Sequence, residues 1–390
     1  AAWANQAALD AGGITADSDV PVGGEMRLGG DGKPNGLFLN RATTMLDAIV
    51  PPPAQDTLIK QLLIGLEQMA ADGYVAVHNA GLDSRAMSIL EQLEEEDRLP
   101  IRVYAMLSLR DADLIRKRIE KGPDTDNDSM LVTRAVKAYY DGALGSRGAR
   151  LLYDYEDQPG HRGISGDGYG FDQALNAEAM KSVFQIAILA IGDAGNREAV
   201  DILEGVFREE PSTGNNRHRF ENSQVMDPDD IPRLGQLGII ASMEPPHAME
   251  DKAWAESRLG PERILGAYAW RSLRESGADI TFNADNPGSD HSIFYGLHSA
   301  ITRQDKNMQP EGGWYPEQRL SSDESVRAYT SWSAYASFRE DDTGIIDVGR
   351  WADLTIMDID PFVLADESPS DILKGRILMT IVNGNVVYER

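Results

Sequence analysis

The sequence contains no cysteine. That removes disulfides, thiolate metal ligands and cysteine nucleophiles. Histidine is scarce, with six in 390 residues, so a histidine-based metal site would draw on a large share of them. Positive charge is in deficit: Lys plus Arg is 37 against 63 Asp plus Glu, a formal net charge of −26. No basic block breaks this pattern, which argues against nucleic acid and anionic membranes as partners. No apolar run approaches the roughly 18 residues of a membrane-spanning helix, and no secretory signal pattern is present. A soluble chain is expected, with compartment and oligomeric state left open. Ala1–Leu9 reads as the middle of a helix with neither initiator Met nor N-cap, as in a fragment.

What is present is a regular alternation. Residues 1–50 read as a short helix followed by Gly-rich turns and loops, ending at Pro51-Pro52-Pro53. From there, short apolar runs expected to be buried strands recur at 74–78, 101–107, 135–140, 184–190, 218–221, 238–243 and 279–283. Helical patterns lie between them, at 54–71, 83–97, 111–121, 172–182, 195–209, 228–236 and 261–275. Residues 141–170 are a long Gly-containing loop. Such βα repetition predicts a parallel α/β fold, either a (β/α)₈ barrel or an open doubly wound sheet. No Gly-x-Gly-x-x-Gly follows a strand, which weakens the dinucleotide-binding alternative. Residues 348–358 and 377–388 are β-type, with a hairpin turn at Asn383-Gly384. The expected division is a loop-rich segment 1–50, a barrel 51–345 and a C-terminal β unit 346–390.

Barrel chemistry sits at the carboxyl ends of strands. Those ends hold His78, Lys137, Asp141, Leu189, Asp193, Glu221-Asn222, Glu244 to His247, and Asp285. Several segments resemble the amidohydrolase superfamily, in its family 3 branch that includes N-substituted formamide deformylase-like proteins. They are Ala2-Trp3-Ala4-Asn5, Asp141-Gly142-Ala143-Leu144-Gly145-Ser146-Arg147, Ala190-Ile191-Gly192-Asp193-Ala194-Gly195-Asn196-Arg197, Arg217-His218-Arg219-Phe220-Glu221, Asp227-Pro228-Asp229-Asp230-Ile231-Pro232, and Ala352-Asp353-Leu354 with Asp358-Ile359-Asp360-Pro361. The resemblance spans essentially the whole chain. It implies a distorted (β/α)₈ TIM barrel with a β-sandwich built from both chain ends, here a barrel without its first strand and with a C-terminal remnant of the sandwich. It also implies one or two divalent metals, usually zinc, that activate water to hydrolyse a C–N bond of a small molecule.

On the same resemblance, the ligands would be a His-x-His on the first strand, which has no counterpart here, a Lys at 137, a His at 189, a His at 222 and the Asp at 285. Asp285 would also take the proton from the attacking water. This chain has Leu189 and Asn222 instead of the two histidines. Leucine has no lone pair to donate, an Asn amide is a weak zinc ligand, and Lys137 coordinates only when carbamylated. The favoured expectation is a hydrolase of non-peptide C–N bonds with a degenerate metal site. The competing expectation is an inactive barrel that binds a small molecule.

Each candidate also has a plainer reading. Asp285 is either the acid–base residue or a loop-capping Asp. Lys137 is either a ligand or a barrel-interior Lys paired with Asp285 or Asp193. His78 and His247 are candidate substrate contacts, with a hydrogen-bonded loop histidine the commoner role for His78. Arg147 is a candidate for a substrate carboxylate. Ser146 has no base at fixed spacing and is not expected to be a nucleophile. Asp193 is expected to cap the helix that follows it.

Overall fold

The computed structural model describes residues 1–126 and 129–390. Three antiparallel strands open the chain: β1 (Ala2–Trp3), β2 (Gly24–Leu28) and β3 (Pro34–Asn40), in the order β1-β3-β2. The short helix expected in 1–50 is present at Gln6–Ala11, but the expectation that only turns and loops follow it is corrected by β2 and β3. Met26 pairs with Phe38 across the sheet, and Phe38 packs fully buried with Leu9 and Ala42. A two-residue alternation hidden between glycines is enough to form a half-buried strand.

The central sheet follows. Its strands are β4 (Ala76–Leu82), β5 (Arg102–Ser108), β6 (Leu131–Tyr139), β7 (Gln185–Ala190), β8 (Arg219–Asn222), β9 (Ile240–Met243) and β10 (Ile280–Phe282). All seven are parallel and pair in chain order, forming a curled half-barrel with helices between them. Every residue of β5 is buried, because helices cover one face and the sheet's own concave interior covers the other. Asp83 and Asp111 start the helices after β4 and β5 by accepting the N–H of Ala86 and Leu114.

Three further expectations are corrected. The first strand begins at Ala76, not Tyr74, so His78 lies within β4 and not at its end; Tyr74 instead donates its hydroxyl to the His291 carbonyl. The stretch 261–275 is not one helix. It breaks at Gly266 and at Tyr268, whose φ is +52°, into pieces ending at Arg263 and starting at Trp270. Asp193 is not the helix cap: Gly192 takes that position, and the Asp193 carboxylate accepts from the N–H groups of Leu152 and Ala194.

The chain closes with β11 (Leu354–Met357), β12 (Ile377–Val382) and β13 (Asn385–Glu389), an antiparallel sheet. Asn383 and Gly384 both have positive φ, as a two-residue hairpin requires. Asp353, just before β11, forms a two-pronged ion pair with Arg102 at the start of β5, at 2.7 and 3.3 Å. Both side chains are almost wholly buried. Among the described residues, no helix is long and apolar enough to cross a membrane.

Candidate active site

The carboxyl end of the central sheet gathers the ionisable side chains. Arg219 and Glu221 are two residues apart on β8, so both face the sheet's interior. Arg219 Nε donates to Glu221 Oε1 at 2.5 Å, and its Nη2 to Ser242 Oγ on β9 at 2.9 Å. Arg219 Nη1 donates to His78 Nδ1 at 2.9 Å. An arginine cannot accept, so that donation leaves His78 Nδ1 unprotonated. Burial and the neighbouring guanidinium push the His78 pKa down to about 3. His78 is thus a neutral partner of Arg219 in the interior.

Lys137 projects from β6 and is buried. Burial lowers its pKa, opposed by the carboxylates of Glu221, Asp285 and Glu244. Its Nζ lies 5.4 Å from the centre of the Tyr139 ring. Among the described residues no ion pair ties it to a carboxylate. The proposed pairing with Asp193 does not form; the Asp193 carboxylate, at the start of the helix after β7, instead accepts from the N–H groups of Leu152 and Ala194.

Asp285 follows β10 in a left-handed conformation, φ +42°. Asn283 holds it there by accepting the Asp285 N–H at 2.9 Å while donating to Ser242 Oγ at 2.8 Å. Burial and repulsion from Glu244 push the Asp285 pKa up to about 6, against Lys137 and His247, which favour the charged form. A carboxyl group that titrates near neutrality can both take and return a proton.

His247 lies in the helix Pro245–Asp251, between two carboxylates: Nδ1 is 3.7 Å from Glu244 and Nε2 3.3 Å from Asp251. Burial works against its charge, but these two neighbours outweigh it and raise the pKa to about 9. Asp251 also accepts from Tyr268 at 2.6 Å and Gln224 at 2.8 Å. Asn222, at the end of β8, donates its side-chain N–H to Glu244 Oε2 at 3.1 Å. His247 is therefore an imidazolium fixed in a carboxylate network.

Arg147 stands apart. Its guanidinium is engaged by Asp157 at 3.0 and 2.8 Å, in the loop over the sheet. Among the described residues, Ser146 Oγ meets Asn40 Oδ1 and the Ala143 carbonyl and no base. From sequence, Glu221 is expected at a strand end, and Asn283 with Asn286 reads as a candidate substrate contact beside Asp285; Arg219 is not singled out as a site residue. The alternation of β8 carries its signal, since it sends 219 and 221 to the same side.

The donor set does not fit a metal centre. Among the described residues, no three His, Asp or Glu side chains gather as a metal-holding group. Leu189 is an apolar, partly buried end to β7, packed against the core. The Asn222 amide is committed to Glu244, and Lys137 places a buried amine, not a metal-ligating imidazole or carboxylate, in the middle of the cluster.

A family profile described as the amidohydrolase family matches residues 1–388. The chain is 28% identical to YtcJ of Bacillus subtilis (strain 168) over 394 residues, covering 99% of this chain and 72% of that protein. It is 25% identical to the N-substituted formamide deformylase of Arthrobacter pascens over 407 residues, covering 100% of this chain and 72% of the relative. A crystal structure of an uncharacterized metal-dependent hydrolase from Pyrococcus horikoshii OT3 superposes with a TM-score of 0.76. Its sequence identity is 23%, with 94% of this chain and 71% of that one covered.

Proposed function

The chain belongs to the amidohydrolase family, and from that premise we propose that the carboxyl end of its sheet is a small-molecule site on the plan of a C–N hydrolase. Family and structural neighbours support a hydrolase of the metal-dependent kind. In the same reading, the seven strands belong to a distorted (β/α)₈ barrel, β11–β13 to a β-sandwich, and the chain divides at about residues 50 and 345. The ligand is a small molecule bearing an amide, formamide or similar non-peptide C–N bond.

Whether this chain cuts that bond turns on one observation: Leu189 and Asn222 stand at two donor positions. A catalytic zinc site uses about three protein donors. The residues present favour binding without metal-assisted hydrolysis. A second reading, hydrolysis, draws on Asp285, which titrates near pH 6 and lies within electrostatic reach of Lys137 and His247. In that reading Asp285 accepts a proton from water and returns it to the leaving nitrogen.

Elemental analysis separates the two. The purified protein is stripped with chelator, incubated with excess zinc, desalted and assayed against N-substituted formamides and acetamides. Metal near zero with no turnover is the expected result. One or two zinc per chain with turnover makes this chain a working hydrolase and overturns the binding-only reading.

A further inference from the structure

Arg303 is fully buried, and among the described residues no ion pair supplies it with a counter-charge. It holds two backbone carbonyls instead. Its Nε donates to Trp314 at 2.8 Å and its Nη1 to Tyr268 at 3.0 Å. Among the described residues its Nη2 has no partner. The indoles of Trp270 and Trp314 lie 4.3 and 5.3 Å from the guanidinium carbon. A charge buried without its opposite costs stability that an apolar side chain would not. That cost makes sense where something depends on the guanidinium's geometry.

The geometry is that of a clamp. Arg303 ends the helix Ile293–Thr302 in the left-handed conformation, φ +58°. Its carbonyl accepts the Trp314 N–H at 2.8 Å, so the segment 304–313 is pinned at both ends. Tyr268, the residue it grips, is also left-handed, φ +52°, and buried. A residue other than glycine keeps that conformation only where its surroundings impose it. Here the Gln224 carbonyl accepts the Tyr268 N–H at 2.7 Å, and Arg303 takes the Tyr268 carbonyl.

What the clamp aims is the phenol. Tyr268 Oη donates to Asp251 Oδ2 at 2.6 Å, and Gln224 Nε2 donates to both atoms, at 2.7 and 2.8 Å. The same Asp251 oxygen lies 3.3 Å from His247 Nε2. The other carboxylates acting on this imidazole are Glu244, beside its Nδ1, and Asp285, after β10. The Tyr268 ring stands edge-on to it, with centroids 6.4 Å apart.

We propose that Arg303 is a positioning residue for His247: it locks Tyr268 in the left-handed conformation from which the phenol holds Asp251 against the imidazole. A lysine replaces it only in part, because a planar fork reaches two carbonyls at once and an ammonium does not. The placement of the segment 304–313 is thereby felt at His247. Without the lock the phenol turns away, Asp251 loses its anchor, and water enters between carboxylate and imidazole.

The test reads the His247 imidazole directly. Histidine-labelled protein is titrated by NMR from about pH 5 to about pH 11, with the His247 signal identified by its absence from His247→Gln. The variants are Arg303→Met and Arg303→Lys, each also in a Tyr268→Phe background. Arg217→Met, which breaks the ion pair with Glu340 at the other end of the sheet, is the structural control. All are checked for folding by thermal melting. The wild-type midpoint is expected near 9. Arg303→Met lowers it by about one pH unit, a tenfold change in proton affinity, and Arg303→Lys by part of that. In the Tyr268→Phe background the shift largely disappears, because the hydroxyl that carried it is gone. Arg217→Met leaves the midpoint in place. A wild-type midpoint at the ordinary 6.5 overturns the proposal, as does an unmoved midpoint in Arg303→Met. So does a shift undiminished in the Tyr268→Phe background, or an equal shift in Arg217→Met, which would trace it to lost stability. Where Arg303→Met does not fold, an Arg303→Lys midpoint identical to wild type overturns it as well. No metal, ligand or turnover is read, so the outcome is independent of the zinc experiment.

Discussion

His247 and His218 give the protein opposite responses to pH. His247 is held protonated, with a folded pKa of about 9 above the usual 6.5. Its contribution to stability is fully present below pH 6.5 and is lost as pH rises through 9. His247→Gln should therefore destabilise by about 2 kcal/mol at pH 6 and much less at pH 10, as urea denaturation at the two pH values would show. His218 is the reverse. Its Nδ1 accepts the Ile186 N–H and its Nε2 donates to the Thr213 carbonyl, and burial lowers its pKa to about 4. Its contribution is present above pH 6.5 and is lost as pH falls toward 4. The place of His247 after a strand end, together with the family resemblance, marked it as a candidate substrate contact. The sequence did not disclose that both its nitrogens face carboxylates, since Asp251 reaches it only through the helical turn after Pro245-Pro246. The substitutions at 189 and 222 were legible because flanking motif residues framed them. Leu189→His with Asn222→His should raise zinc from near zero to about one per chain, read by elemental analysis.

At the scale of elements, the strands were the most readable part, since parallel strands buried on both faces appear as continuous apolar runs. What escaped was built from contacts distant in sequence. Asp141, after β6, accepts the N–H groups of Arg150, Ile191 and Gly192, all at 2.9 Å. One carboxylate thereby stitches the long loop to the turn after β7. Gly192 is obligatory there, because a Cβ would collide with the Arg150 carbonyl. Asp141→Ala leaves three buried donors without an acceptor and should cost about 3 kcal/mol or more in urea denaturation. A motif reading finds Asp141 readily but cannot say that its task is to hold backbone. The strands of 1–50 were missed for a different reason: glycines interrupt the two-residue rhythm on which recognition depends.

Across the whole molecule, the half-barrel and the C-terminal sheet are joined at a buried charge pair. Arg102 opens β5 and Asp353 precedes β11, and Asp353 also accepts the Asn383 N–H at the hairpin turn. Arg102 is further stacked on Trp351 at 3.8 Å. Arg102→Met strands the Asp353 charge and should cost about 3–5 kcal/mol, while adding Asp353→Leu should recover much of it; melting curves of the single and double variants compare the two. Without the segment from Trp351 to Asp353, the Arg102 guanidinium would lie buried at the foot of the central sheet with neither counter-ion nor aromatic cover, so the two sheets should melt as one cooperative unit and not in separate steps.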